Sequence, residues 1–167
     1  MTMSTNTSIP MSFLWHPVHF LALGLGSGMP RVAPGTFGTL MGLMLFCGYH
    51  YFFAPPSVLF FGLFLLVSSA VGIYLCGKTA KDLGVHDHGG IVWDEFVGFW
   101  LCLWAMPVTW YWVVAAFILF RIFDIAKPWP IKWIDHKVSG GFGIMLDDIL
   151  AGLYVLVILH FSHWLIF

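Results

Sequence analysis

Two pairs of adjacent acidic residues occur in stretches of similar pattern. Asp94 and Glu95 lie in GGIVWDEFVG, and Asp147 and Asp148 lie in GGFGIMLDDILAG. Each stretch has glycines, an apolar triplet, two carboxylates and then a glycine four residues after one acid. Because residues four apart share a helix face, each glycine would let a helix, a metal or a ligand approach its acid closely. An alternative is that the helix dipole stabilises an acid in the first turn of each helix. This explains a single acid at a helix start better than two adjacent ones.

A third motif, RIFDIAKPWPI, places Arg121 and Asp124 three residues apart, on one face of a helix. Lys127 precedes Pro128, where we expect that helix to end. The motif is compatible with a local Arg–Asp pair at a membrane interface. It is also compatible with a site in which Asp124 joins the other acids and Arg121 or Lys127 binds an anion, and this second interpretation is favoured.

Together these motifs indicate phosphoryl chemistry that depends on a divalent cation. Five carboxylates in one partly desolvated site would repel one another strongly unless a cation offset their charge. Oxygen ligands favour Mg²⁺, Mn²⁺ or Ca²⁺, and Mg²⁺ is usually held by a few carboxylates together with substrate phosphates. We therefore predict a Mg²⁺ site whose ligands are Asp94, Glu95, Asp124, Asp147 and Asp148. Among these, Asp94, Asp124 and Asp148 are the candidate catalytic residues, as general base or as nucleophile.

The candidate phosphate-binding residues are basic or lie in a glycine-rich loop. The glycine-rich loop has the sequence GSGMPRVAPGTFGT. Its backbone N–H groups could bind a phosphate, although it lacks the Gly-Lys-Ser/Thr of a Walker A loop. The same sequence is also compatible with a purely structural turn. HDHGG, just before the first acidic pair, could bind metal or be a solvated loop. The phosphate-binding candidates are Arg121, Lys127, Lys78, Lys81, Ser27, Arg31 and Thr36.

The composition places this chemistry in a membrane protein. The 167 residues are 60% hydrophobic, 19% aromatic and 9% charged, with a net charge of −1, whereas soluble domains carry roughly 25% charged residues. With no basic stripe, no nucleic-acid partner is expected. Residues 1–167 are expected to form one all-α domain, a polytopic membrane helical bundle whose interfacial polar loops carry the site. Three cysteines in apolar stretches, Cys47, Cys76 and Cys102, are expected to be buried and unpaired.

Four apolar segments are candidate membrane elements: Gly38–Phe53, Ser57–Gly77, Phe96–Phe120 and Ile149–Phe167. The stretch at 13–25 is predicted to form an interfacial or partly buried helix, and APPS (54–57) a turn. GTLMG is a Gly-x-x-x-Gly pattern that favours close helix packing. The third segment either crosses once or turns at Pro107 into a hairpin of two short helices, about 91–106 and 108–123.

The hairpin is favoured because it unites the polar blocks on one side. Every Asp and Glu lies between Asp82 and Asp148, and every Lys and Arg except Arg31 between Lys78 and Lys137. With a hairpin, all of these share a membrane face, which the positive-inside rule makes cytoplasmic.

Four motifs, in order from about Phe20 to Gly152, resemble the phosphatidylglycerophosphatase A family of bacterial lipid phosphatases: GSGMPRVAPGTFGTL, TAKDLGVHDHGGIVWDEFVG, FRIFDIAKPWPI and GGFGIMLDDILAG. The resemblance implies hydrolysis of phosphatidylglycerophosphate, a phospholipid substrate in the bilayer, to phosphatidylglycerol and phosphate. It also implies Mg²⁺ dependence and an all-helical protein of the bacterial inner membrane. It further suggests that the glycine-rich loop belongs to the site.

Three other functions would also place acidic residues in a small membrane protein or need no site at all. A divalent-cation transporter or channel would also need membrane acids, but here they cluster at the ends of apolar segments. A CDP-alcohol phosphotransferase would carry a longer Asp- and Gly-rich motif. A structural membrane protein would leave the paired acids without a role. Oligomeric state, number of metals and lipid selectivity stay open.

Overall fold

A computed structural model describes residues 9–167, which form α-helices and short 3-10 helices and contain no strand. A 3-10 helix at Met11–Trp15 precedes α1, and another at Gly24–Gly26 follows it. The predicted all-α class is confirmed for these residues. The stretch at 13–25 is thus a chain of short helices rather than one. The α-helices are α1 (Pro17–Ala22), α2 (Pro34–Phe52), α3 (Val58–Leu83), α4 (Trp93–Cys102), α5 (Trp110–Ala126), α6 (Ile131–Lys137) and α7 (Gly140–Ile166).

The short helix α4 lies at the centre of the bundle. Eight of its ten residues are buried, and it packs against α2, α3, α5 and most extensively against α7. Ten residues extend only about 15 Å, half of the roughly 30 Å hydrocarbon core, so α4 cannot cross a membrane by itself. A helix that is apolar all round apart from its first turn is stable only when other helices cover it.

The region 96–120 is a hairpin, as the sequence favoured, and not a single span. α4 ends at Cys102 and α5 begins at Trp110, with Pro107 between them. Glu95, at the start of α4, contacts Arg121 near the end of α5. Further along, Phe99 packs edge-on against Phe117. The two helices are therefore antiparallel, and both polar blocks lie at the same end of the bundle.

Two helices, α3 and α7, are long and apolar enough to cross a membrane. Both begin or end beyond the predicted segments: α3 continues to Leu83, and α7 begins at Gly140 rather than Ile149. The sequence places Asp147 and Asp148 just before the apolar segment Ile149–Phe167, but in the structure they are the eighth and ninth residues of α7, so the predicted start of the last helix is wrong. The glycines before them continue the helix instead of forming a loop.

The predicted turn at 54–57 joins α2 to α3, but these helices pack little against each other: α2 packs mainly against α4, and α3 mainly against α7. On α2, a Cβ atom at Gly42 would touch Phe96, so the Gly-x-x-x-Gly pattern serves close packing against α4. All three cysteines are free. Cys76 and Cys102 are buried as expected, whereas Cys47 is exposed on α2, which corrects the prediction.

The two loops at the polar end pack directly against each other. A Cβ atom at Gly28 would lie 2.0 Å from the carbonyl oxygen of Gly90, so only glycine allows this contact. The N–H of Val92 donates to the carbonyl of Ala22, which joins the entry to α4 with the end of α1. The glycine-rich loop therefore supports the segment that begins the central helix.

Candidate active site

The acidic pairs meet because α4 and α7 cross at two glycines. A Cβ atom at Gly152 would lie 2.5 Å from the carbonyl oxygen of Gly98, and one at Gly98 would lie 2.7 Å from that of Asp148. The backbones can approach this closely only because both residues lack a side chain. The glycines four residues after Asp94 and Asp148 thus bring the two similar stretches face to face.

The acids at this crossing are buried and crowded. Asp94, Glu95, Asp147 and Asp148 are each at most 8% exposed. Asp148 lies near enough to Asp124, Asp94, Asp147 and Glu95 to be repelled by each of them. The five acids proposed from the sequence therefore share one electrostatic environment.

Three fully buried carboxylate oxygens in this group have no hydrogen-bond partner: Oδ1 of Asp94, Oε2 of Glu95 and Oδ2 of Asp148. A buried polar atom without a partner is costly, more so when it carries charge. These oxygens are therefore the ones that a cation would stabilise most.

Arg121 is the positive centre on the α5 side. Its Nη1 lies 2.6 Å from Oδ2 of Asp124 and 3.5 Å from Oε1 of Glu95. The same nitrogen donates to Oγ1 of Thr39 at 3.3 Å. Arg121 thereby links α2, α4 and α5, and it stands where a phosphate could replace part of its contact with the acids.

The start of α2 supports Glu95. A Cβ atom at Gly35 would lie 2.2 Å from Oε1 of Glu95, and one at Gly38 would lie 2.3 Å from Oε2. Any larger residue at either position would displace the carboxylate. The GTFG segment, considered from the sequence as a phosphate cradle, forms a wall for Glu95.

Lys127 is held between two acids on other helices. Its Nζ lies 2.5 Å from Oδ2 of Asp147 and 3.0 Å from Oδ1 of Asp135. The remaining oxygen of Asp147 accepts a hydrogen bond from the backbone N–H of Asp148 at 3.0 Å. Both oxygens of Asp147 are thus occupied by protein groups, whereas its neighbour Asp148 has an oxygen left over.

The acids differ from ordinary carboxylates in their affinity for protons. Burial, followed by repulsion from Glu95, raises the pKa of Asp94 well above its usual range. Burial also raises the pKa of Glu95 to about 8, although the positive charge of Arg121 opposes the change. For Lys127, burial alone would lower the pKa, but Asp147 and Asp135 more than compensate and raise it.

The donor set fits a hard divalent cation in its chemistry. It consists of carboxylate oxygens, three of them buried and without partners. Across residues 9–167, however, no three His, Cys, Asp or Glu side chains are already arranged to hold an ion. A metal would have to draw these side chains together.

Other predicted phosphate-binding residues lie apart from these contacts. Lys78 pairs with Asp82 one helical turn away on α3. The hydroxyl of Ser27 is buried without a partner. In the described part of the chain, no hydrogen bond or ion pair joins Lys81, Arg31 or Thr36 to the five acids. Arg121 and Lys127 are therefore the cations that the fold brings to the acids.

The site residues predicted from the sequence did not include Thr39 or Asp135. Thr39 lies four residues after Gly35, on the same helix face, and this spacing could have indicated that it faces the site. Asp135 meets Lys127 only because the chain turns back at Pro128 and Pro130. No sequence spacing signals that contact.

Comparisons with known proteins agree with these motifs. The model of the family "Phosphatidylglycerophosphatase A" matches residues 20–163. Proteins of that name from Escherichia coli and Haemophilus influenzae are 49% and 46% identical, over 89% and 98% of this chain and 86% and 100% of their own lengths. A Bacteroides thetaiotaomicron protein named "Putative phosphatidylinositol-3-phosphatase" is 38% identical over 87% of this chain and 93% of its own. No solved structure matches. The chain therefore belongs to the phosphatidylglycerophosphatase A family.

Proposed function

We propose that the protein hydrolyses phosphatidylglycerophosphate to phosphatidylglycerol and inorganic phosphate, with Mg²⁺ as cofactor. The proposal rests on the family membership and on one structural observation: buried carboxylates with partnerless oxygens lie beside Arg121. Carboxylates for a hard cation and a guanidinium for phosphate are the parts that phosphoryl hydrolysis needs.

In the proposed site, Asp94, Glu95 and Asp148 hold the metal through the oxygens that lack partners. Bound Mg²⁺ would offset negative charge on the phosphate and lower the pKa of a water molecule. Arg121 binds phosphate oxygens while Asp124 and Thr39 orient its guanidinium. Lys127 supplies a second positive charge, positioned by Asp147 and Asp135. One of the catalytic candidates Asp94, Asp124 and Asp148 acts as base or nucleophile.

We further propose a multi-pass protein of the bacterial inner membrane with the site at the cytoplasmic face. Two helices have the length and apolarity of membrane spans. The antiparallel α4–α5 hairpin brings the polar blocks to one end, where most Lys and Arg residues lie. A phospholipid would keep its acyl chains among the helices while its head group reaches the acids.

Phosphate release from purified protein in detergent tests this function. We expect hydrolysis of phosphatidylglycerophosphate with Mg²⁺, loss of hydrolysis with a chelator, and recovery when Mg²⁺ returns. Phosphatidylinositol 3-phosphate is the comparison substrate, because one relative carries the name of a phosphatase for it. Absence of hydrolysis by folded protein, combined with Mg²⁺ flux into vesicles, would instead support the rival transporter.

A further inference from the structure

We propose that an apolar groove between α3, α4 and α7 binds one acyl chain of the lipid substrate while the head group occupies the acidic site. This inference rests on the proposed lipid phosphatase activity and deepens it. The groove has a volume of about 480 Å³, and its lining includes Leu63, Leu66, Ser69, Val97, Ile149 and Leu153.

The groove begins next to the acids. Ile149 follows Asp148 directly in α7, and Val97 lies one helical turn beyond Asp94 in α4. At the end of the groove nearest to the acids, a hydrogen bond joins α4 to α3: the indole N–H of Trp93 donates to the carbonyl of Ser68. A ligand whose phosphate lies at the acids therefore has its apolar part at the groove entrance.

The groove has the length of a chain in one leaflet. On α3 its lining runs from Leu59 to Ser69, a rise of about 15 Å. This is half of the roughly 30 Å hydrocarbon core. The far end is marked by Trp104, whose indole N–H donates to the carbonyl of Val58.

The groove is open to the surrounding lipid. Leu59, Leu63 and Leu66 on one wall are 84%, 57% and 70% exposed, so a chain could enter sideways. Two further cavities lie elsewhere: one between α2 and α3, and one at the α2–α3 turn and the α4–α5 connection. Neither includes a neighbour of Asp94 or Asp148 in its lining.

Ser69→Phe tests the proposal, because the larger side chain would fill the groove at the end nearest to the acids. The Ser69 hydroxyl bonds only to the carbonyl of Leu65 in its own helix, so its loss leaves no other element unpaired. Ala70→Phe is the matched control: its exposed position is next in sequence and outside the lining. Thermal unfolding of both variants checks that they fold.

We expect Ser69→Phe to raise KM about tenfold for phosphatidylglycerophosphate with long acyl chains, and to change KM less than twofold for a six-carbon form. Ala70→Phe should match the unaltered protein on both substrates. An equal change in KM for both substrates, or no change for either, would contradict the proposal that the groove binds an acyl chain. If the unaltered protein hydrolyses neither substrate, the proposed function is wrong. Cross-linking then decides whether the groove binds an acyl chain.

Cross-linking uses phosphatidylglycerol that carries a diazirine at the end of one acyl chain. After illumination, we expect labelled peptides to contain groove residues of α3 or α7, with less label in Ser69→Phe. Label confined to Leu45, Phe60 or Phe64, which line the cavity between α2 and α3, would contradict the proposal. This readout is independent of hydrolysis.

Discussion

At the scale of single residues, adjacent acids have different surroundings. Asp147 uses one oxygen for Lys127 and the other for the backbone of Asp148. Asp148 and Asp94 each keep an oxygen without a partner. We therefore propose that Asp94 and Asp148, together with Glu95, bind the metal, and that Asp147 positions Lys127.

Asparagine substitutions test this division. Asp94→Asn and Asp148→Asn should each lower phosphate release at least about 100-fold, because each removes a proposed metal ligand. Asp147→Asn should cost about tenfold, since loss of a residue that orients the site has a smaller effect. Isothermal titration with Mg²⁺ is the second measurement. Unchanged Mg²⁺ affinity in Asp148→Asn would show that this residue is not a ligand.

Glu95 should make the stability of the metal-free protein depend on pH. Its pKa is about 8 in the folded protein and about 4.3 when unfolded. Between these values the folded state binds more protons, so the free energy of unfolding should fall as pH rises from about 5 to 8. Thermal unfolding in detergent with a chelator measures this. In Glu95→Gln the dependence should be weaker, and an equally steep profile would contradict the assignment.

The motifs predicted which acids gather, because the acids and their glycines are all visible in the sequence. The division of labour between Asp147 and Asp148 was not predictable. It depends on the position of Lys127 at the end of α5, where its Nζ contacts Asp147 and not Asp148. Tertiary structure, not sequence spacing, determines that contact.

At the scale of elements, the decisive feature is the crossing of α4 and α7 at Gly98 and Gly152. The sequence predicted close approach on these faces from the i, i+4 spacing of acid and glycine. It did not predict that the second acidic pair lies inside α7, since the last apolar segment was predicted to begin only at Ile149. Burial between neighbouring helices stabilises α7 across Gly141 and Gly143 despite their low helix propensity.

Gly152→Ala should disrupt this crossing. Its Cβ atom would lie 2.5 Å from the carbonyl oxygen of Gly98, and we expect a destabilisation of about 2 kcal/mol together with loss of most activity. Gly48→Ala on α2 is the control, since its Cβ atom would meet nothing within 4 Å. It should leave activity unchanged and slightly favour the helix. Comparable melting temperatures for both variants would argue against a tight crossing.

At the scale of the whole molecule, the antiparallel hairpin determines which loops share a side. Composition and hydrophobic runs predicted the helical class and most of the two long apolar helices, α3 and α7. By length alone, residues 96–120 could cross once or form a hairpin. The positions of the charged residues favoured the hairpin, and the packing of α4 among its neighbours accounts for it.

Labelling of introduced cysteines tests this arrangement in membranes. Asp87→Cys and His136→Cys, each made with Cys47→Ser because Cys47 is exposed, should react with an impermeant thiol reagent from the same side. A cysteine at Ser57, in the α2–α3 turn, should react from the opposite side. Labelling of positions 87 and 136 from different sides would mean that the chain between them crosses the membrane once instead of returning as a hairpin.

The glycine crossing also has a consequence for the lipids around the protein. In the proposed arrangement α7 spans the bilayer and tilts to match its thickness, whereas α4 is held inside the bundle. Because Asp94 and Asp148 belong to different members of this pair, any change in the angle at which α7 crosses α4 would alter their separation. Hydrolysis should therefore have an optimum in the chain length of the host lipid, even when the substrate itself is kept constant.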